Sequence, residues 1–222
     1  MLCTPTISAT AADAYNSACT TLLEKISLCS TGDKKCVVVV AGGESVHHVL
    51  RKAFNAQSNW GNVIFVLADE RCLPVGDSQR NDTALLSLID SHSFESSPQL
   101  VSIPAERGPA NGSIELENVL RKVGKPNIVM ISVADDGHIA SLFPLSGHLS
   151  ATTWSCVITD SPKAPRERVT CSMAYFALTT HRIALQTGHN KRDIFVRLQQ
   201  GERLPLAVFS PTHWFLDSDA AQ

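Results

Sequence analysis

Four short segments carry the residues with chemical potential. The first is Asp135-Asp136-Gly137-His138. A carboxylate two residues from a histidine, across a glycine, can orient the imidazole and stabilise its charge, as a general base near neutral pH requires. The same residues also fit a plain turn with a surface histidine. The second segment is Asp69-Glu70-Arg71, three charges directly after an apolar run. Arg71 can bind an anionic or carbonyl oxygen there, and Asp69 is a second candidate for substrate contact. A solvated rim with a local ion pair satisfies the pattern equally well. The third is Gly42-Gly43-Glu44-Ser45, where a strand meets a helix start. Glycine lets backbone N–H groups approach a phosphate, and the helix dipole favours negative charge, so Gly42, Gly43 and Ser45 suit an anion cradle. An ordinary tight turn reads the same way. The fourth is a basic set: Lys163, Arg166 and Arg168 between and after Pro162 and Pro165, with Lys191 further on. These are a phosphate clamp or solvated charge. The two prolines favour the clamp, because they lower the loop's freedom before binding.

The elements around these segments give them a common address. Cys36 to Ala41, 62–68 and 127–133 are continuous apolar runs rich in β-branched residues, the pattern of strands buried on both faces. Helical patterns cover 11–29, 44–56, 81–90, 113–123 and about 190–199. Asp69 to Arg80 reads as a polar loop, and 91–112 as irregular with a short strand near Leu100-Ile103. Further strands are expected at 154–159, 168–173, 181–187 and 206–210. Strands alternating with helices predict an α/β fold with a mostly parallel sheet and helices on both faces. Ligands bind beyond the carboxyl ends of such strands. Segments 42–45, 69–81 and 135–138 all fall there. No linker, repeat or low-complexity stretch divides the chain, so residues 1–222 are expected to form one domain.

Composition narrows the partners. The chain has 222 residues, 44% hydrophobic and 18% charged, so it can build a large core and is not a disordered polymer. Its formal charge of −2 gives no reason to expect nucleic acid or an anionic membrane as partner. Seven cysteines, without a C-x-x-C pair, suggest free thiols rather than a zinc site or disulfide framework. No secretory signal or spanning apolar run is visible, and a soluble, cytoplasmic protein is expected. His47-His48 lacks a third ligand. No G-x-S-x-G elbow, G-x-x-x-x-G-K-[ST] loop or G-x-G-x-x-G fingerprint occurs, which removes the usual signals for serine hydrolases, ATP and NAD. Trp60, Trp154 and Trp214 read as packing.

Taken in order, the segments resemble the 6-phosphogluconolactonase family, within a wider group that includes glucosamine-6-phosphate deaminases. The matching stretches are Ala41-Gly42-Gly43-Glu44-Ser45, Asp69-Glu70-Arg71-Cys72-Leu73-Pro74, Asp136-Gly137-His138-Ile139-Ala140-Ser141-Leu142-Phe143-Pro144, the run from Asp160 to Thr170, and Trp214-Phe215-Leu216-Asp217 with Ala220-Ala221. The deaminases carry a Glu for ring opening after the histidine. Here Ser141-Leu142-Phe143 occupies that stretch, which favours the lactonase.

The resemblance implies a fold like the ribose-phosphate isomerase and CoA-transferase group. It also implies hydrolysis of 6-phospho-glucono-1,5-lactone, a small-molecule substrate, in the pentose phosphate pathway. Neither metal nor cofactor is implied, and the chain is expected to be a monomer or weak oligomer. On this resemblance His138 activates water, Asp136 orients it and Arg71 places or stabilises the carbonyl oxygen. Gly42, Gly43, Ser45, Arg168 and Lys191 hold the phosphate, with Lys163 and Arg166 contributing. Three departures stand out. Glu44 replaces a Ser near the expected phosphate, Ser132-Val133-Ala134 replaces a glycine-rich G-x-G, and Arg80 replaces a Ser before Asn81. Glu44 and the lost glycines leave a non-catalytic sugar-phosphate binder open as an alternative, beside a deaminase-like enzyme.

Overall fold

A computed structural model describes residues 2–32 and 34–222. Chain order begins with β1 (Thr6–Ser8), α1 (Ala11–Cys29), β2 (Cys36–Val40), α2 (Glu44–Ala56) and β3 (Val63–Leu67). Thr10 starts α1 by accepting the Asp13 N–H at 3.2 Å, satisfying one donor that a helix start leaves unpaired. Ala14, Ala18, Leu22 and Ile26 recur every fourth residue and are buried, so they form the stripe that docks this helix. Truncating Leu22 to Ala there would cost about 2–5 kcal/mol, the usual penalty for emptying a filled aliphatic site. In β2, four consecutive valines follow Cys36 and all five residues are buried. Stiff β-branched side chains favour the extended chain, and burial at every position requires cover on both faces.

The chain continues through β4 (Asp69–Arg71), α3 (Asn81–Asp90), β5 (Gln99–Val101), α4 (Pro109–Val123), β6 (Ile128–Ser132), β7 (Ser155–Ile158) and β8 (Arg168–Cys171). It closes with α5 (Met173–Phe176), β9 (His181–Gln186), α6 (Arg192–Gln199), α7 (Pro205–Phe209), β10 (His213–Asp217) and α8 (Ser218–Ala221). Seven strands form a parallel sheet in the order β1-β10-β9-β6-β2-β3-β5, flanked by helices. Three others form a small antiparallel sheet, β4-β8-β7. Because β2, β3 and β6 are parallel neighbours, their carboxyl ends open on one edge. The small sheet is tied to that edge, where the Cys171 N–H donates to Ala68 O at 2.7 Å.

Several expectations need correction. Residues 206–210 are not a strand: Pro205–Phe209 is a short helix with its proline in the first turn, where a missing N–H costs nothing. The strand of this region is β10, just downstream, paired parallel with both β9 and β1. Asp69–Arg71 is not loop but a strand antiparallel to β8. The fourth helix begins at Pro109, four residues before the position expected from its apolar pattern. Among the described residues no helix is long and apolar enough to cross a membrane.

Candidate active site

A cavity of about 200 Å³ lies at the shared carboxyl edge, lined by the segment after β2, the end of β6 and the turn that follows it, residues of β4 and β8, and Asn81. Gly42 and Gly43 supply one wall, following the last residue of β2. Glycine is needed at 42 for close approach: a Cβ there would lie 2.1 Å from the Asn81 Oδ1. Asn81 is fixed from behind, its amide donating to Asp69 O at 2.8 Å and to Asp69 Oδ1 at 3.3 Å. α2 starts beside this wall with no side-chain cap. Its first N–H groups, which a helix cannot satisfy internally, face the end where an anion gains most from the dipole.

His138 forms the opposite wall. The turn after β6 closes on itself: the Ala134 N–H donates to His138 O at 3.0 Å and Gly137 N–H to Ala134 O at 3.0 Å. Gly137 has φ of 86°, so a left-handed residue lets the chain double back between carboxylate and imidazole. The turn forms without glycine at 132 or 134, and Ser132 and Ala134 line the cavity. Asp136 Oδ1 accepts from His138 Nδ1 at 2.5 Å and from the His138 N–H at 3.2 Å. With Nδ1 engaged, Nε2 is the nitrogen left for a reactant. Burial alone would raise the Asp136 carboxyl. The hydrogen bond and charge of His138, with Lys163 nearby, instead hold it well below the usual carboxylate range. The His138 ring leans on Phe143, centroids 4.6 Å apart, which limits its rotation.

Arg71 and Arg168 bring positive charge to the cavity. Arg71 is anchored through one terminal nitrogen to Gln79 O, while its buried Nε has no partner among the described residues. Arg168 is 4% exposed, and burial pushes its guanidinium below its ordinary value. It donates to Pro165 O at 3.0 Å and Lys163 O at 2.9 Å, shaping the 161–168 loop around itself. Asp69 also lines the cavity but is engaged: Oδ2 accepts from the Ser141 hydroxyl at 2.6 Å. Ser141 is itself fully buried.

The remaining candidates lie around this core. Ser45 sits in the first turn of α2, its hydroxyl 3.3 Å from the Tyr15 hydroxyl and 3.4 Å from Thr187 Oγ1. Lys191 is partly buried after β9, and burial lowers its ammonium against the pull of Asp135 and Asp217. Lys163 pairs with Asp135, and with Asp136 Oδ2 at 3.5 Å, so it braces the histidine turn rather than lining the cavity. Arg166 is exposed and lies outside the cavity lining. Glu44 is 86% exposed and turns towards His48, 4.0 Å away, so its carboxylate is directed out of the cradle. Sequence reasoning missed Asn81 and Ser132 as cavity walls; Asn81 had a signal in closing the 69–81 segment expected at the carboxyl edge. Among the described residues, no group of three or more His, Cys, Asp or Glu side chains is placed to hold a metal ion.

Fold and site define the chain as an α/β protein whose polar machinery lies at the carboxyl edge of a parallel sheet, with an aspartate-bound histidine and two arginines in one cavity. The chain belongs to the glucosamine-6-phosphate isomerases/6-phosphogluconolactonase family, whose model matches residues 9–217. It is 28% identical over 209 residues to the 6-phosphogluconolactonase of Mycobacterium tuberculosis, covering 84% of each chain. The crystal structure of 6-phosphogluconolactonase from Leishmania guyanensis superposes with a TM-score of 0.84 at 20% identity, over 100% of this chain and 98% of that one. A monomeric glucosamine-6-phosphate deaminase superposes with a TM-score of 0.80 at 15% identity, over 99% of each. Such likenesses show the fold and leave the reaction to the site.

Proposed function

We propose that this chain hydrolyses 6-phospho-D-glucono-1,5-lactone to 6-phosphogluconate, with His138 as general base. The observation that supports this most is the His138 imidazole, tied through Nδ1 to Asp136 and lining one small polar cavity with Arg71 and Arg168. A lactone needs a base for water, a cation for the developing oxyanion and a clamp for its phosphate. His138 Nε2 takes a proton from water as the water oxygen bonds to the lactone carbonyl carbon. Arg71, which lines the cavity, stabilises the oxygen that gains charge. Collapse of the tetrahedral intermediate breaks the bond to the ring oxygen, and the imidazolium returns its proton to that oxygen. The product acid loses its own proton to solvent at neutral pH. Asp136 stabilises the imidazolium throughout. The Gly42-Gly43 cradle, the first turn of α2 with Ser45, Arg168 and Lys191 hold the phosphate, with Lys163 and Arg166 at its periphery.

The deaminase and pure-binder readings lose ground on particular residues. Ser141, in the stretch where deaminases carry their Glu, is buried against Asp69 and offers no free carboxylate. Glu44, the main reason to suspect a non-catalytic binder, points to solvent. One chain supplies every group named, so a monomer suffices. Seven unpaired thiols suit a reducing compartment, and we place the activity in the cytoplasm.

The test follows acid release from freshly prepared lactone near neutral pH, with spontaneous hydrolysis subtracted and EDTA present. Rapid, EDTA-resistant hydrolysis that falls at least ~100-fold in His138→Ala is expected. No acceleration by the wild-type chain would defeat the proposal. Loss of activity with EDTA would defeat its metal-free mechanism.

A further inference from the structure

Glu70 has no place in the mechanism above, yet it is completely buried beside the cavity. Its carboxylate joins three backbone groups. Oε1 accepts the N–H of Arg71 and the N–H of Asn81, each at 2.8 Å. Oε2 accepts the N–H of Asp82, also at 2.8 Å. The chain leaves β4 at Arg71 and enters α3 at Asn81, so one carboxylate ties both ends of the intervening loop. Those two ends carry the cavity-lining side chains Arg71 and Asn81.

A second buried charge supports the first. Arg80 is 1% exposed, and its Nε lies 4.0 Å from Glu70 Oε2. Its guanidinium grips Asp82 with two bonds, 2.8 and 2.6 Å long. It also donates to Leu73 O at 2.8 Å, to Ile103 O at 3.1 Å and to Glu106 Oε2 at 3.4 Å. Arg80 thus fastens the outer half of the loop to α3 and to the 103–106 segment. Burying this many charges is expensive, and replacing such a set by apolar groups is often neutral for stability. Stability alone therefore gives little reason for it. What it supplies is a loop whose two ends cannot move independently.

We infer that Glu70, braced by Arg80, is a positioning residue that sets Arg71 in the cavity it shares with His138. This rests on the proposed lactonase chemistry, in which Arg71 meets the charge that develops on the carbonyl oxygen. A group that acts in the transition state loses its value when displaced by as little as 1 Å, at a cost of about 100-fold. The expected signature is a fall in kcat with KM nearly unchanged, seen only while Arg71 is present to be misplaced.

The experiment is a double-mutant cycle on the full chain: wild type, Glu70→Gln, Arg71→Ala and the double variant, assayed for lactone hydrolysis. Glu70→Asp is a second probe, because it keeps a carboxyl group on the Arg80 side but is one methylene too short to reach all three amides. Glu70→Gln and Glu70→Asp are each expected to lower kcat roughly 10- to 100-fold in the wild-type background and less than threefold in the Arg71→Ala background. Equal losses in both backgrounds would mean that Glu70 serves only the fold and would overturn the inference. So would full activity in either single variant. Amide exchange at Arg71, Asn81 and Asp82 reports the clamp itself, and should accelerate in both Glu70 variants. If the wild-type chain does not hydrolyse lactone, the proposed function falls; the same four proteins are then compared by affinity for 6-phosphogluconate. Coupling of Glu70 to Arg71 in that affinity would keep the positioning role, and its absence would remove it.

Discussion

Asp136→Asn is the substitution that most directly probes the base. Asp136 accepts a charge-assisted bond from His138 Nδ1 at 2.5 Å, and that bond strengthens when the ring becomes an imidazolium. A hydrogen bond to a charged group is worth about 1.5–3 kcal/mol, which corresponds to about 10- to 150-fold in rate if it is lost from the transition state. The Asp136 side chain is 34% exposed, which argues for the lower half of that range. A second effect adds to it. Asn can offer its NH₂ to Nδ1, which favours the tautomer with the proton on Nε2 and leaves water without an acceptor. Together these predict a fall in kcat of about 100-fold or more, with KM altered less than about threefold because Asp136 does not line the cavity. The assay is initial-rate acid release over a range of lactone concentrations. A variant within about threefold of wild type in kcat would refute the orienting role. A raised KM with unchanged kcat would move Asp136 into substrate binding. The pairing also has a stability signature. Its depressed carboxyl means that Asp136 contributes stability above the unfolded value near pH ~4, lost as pH falls further. Urea unfolding of the Asn variant should therefore lack that part of the acid limb.

Three further outcomes are expected. Gly42→Ala places a Cβ 2.1 Å from Asn81 Oδ1, so Asn81 must swing away; kcat/KM should fall at least ~10-fold, and unchanged kinetics would show that this wall is not used. Arg168→Met removes a buried cation from the cavity and should raise KM for the lactone about 10- to 150-fold, whereas phosphate-free gluconolactone should be handled equally by both proteins. Burial pushes Glu70 up to about 7, above its unfolded value, so its contribution to stability is full below the unfolded value and is lost as pH rises through the folded one. The unfolding free energy of wild type relative to Glu70→Gln should fall by up to about 3 kcal/mol from about pH 4.5 to above 7, and parallel curves would contradict that burial effect.

The parts of the fold legible in the sequence were those with a single period over a long enough run. The valine run of β2 and the apolar stripe of α1 allowed one interpretation each. Leu206-Ala207-Val208-Phe209 did not: four apolar residues fit a strand or one helical turn, and Pro205 decided for the helix. β1 has only three residues, two of them exposed, and carries almost no pattern of its own. At the site, the histidine–aspartate spacing was informative because both partners lie within one turn. Lys163 was harder to place, since its partners Asp135 and Asp136 are distant in sequence and only the fold turns it towards them. Glu70 was read as a rim charge and Arg80 as the end of a polar loop. Their burial depends on three amides and two carbonyls arriving from elsewhere in the chain, and no local pattern announces that.

The pairing of β1 with β10 has a consequence for how the chain is made. Thr6 aligns with Phe215 and Ser8 with Asp217, and the Ser218 hydroxyl bonds to Ala9 O at 2.7 Å. β1 therefore has no partner in the sheet until β10, about 200 residues further along the chain, is synthesised. At ~5–20 residues per second, that is a wait of roughly 10–40 seconds. Until then, α1 also lacks the β9 and β10 surface it packs against. Although α2 covers part of that apolar face early, the rest stays unburied until the sheet closes. A rearranged order in which the β1–α1 segment directly follows β10 would let this seam form early, and would shorten the interval in which the nascent protein can aggregate.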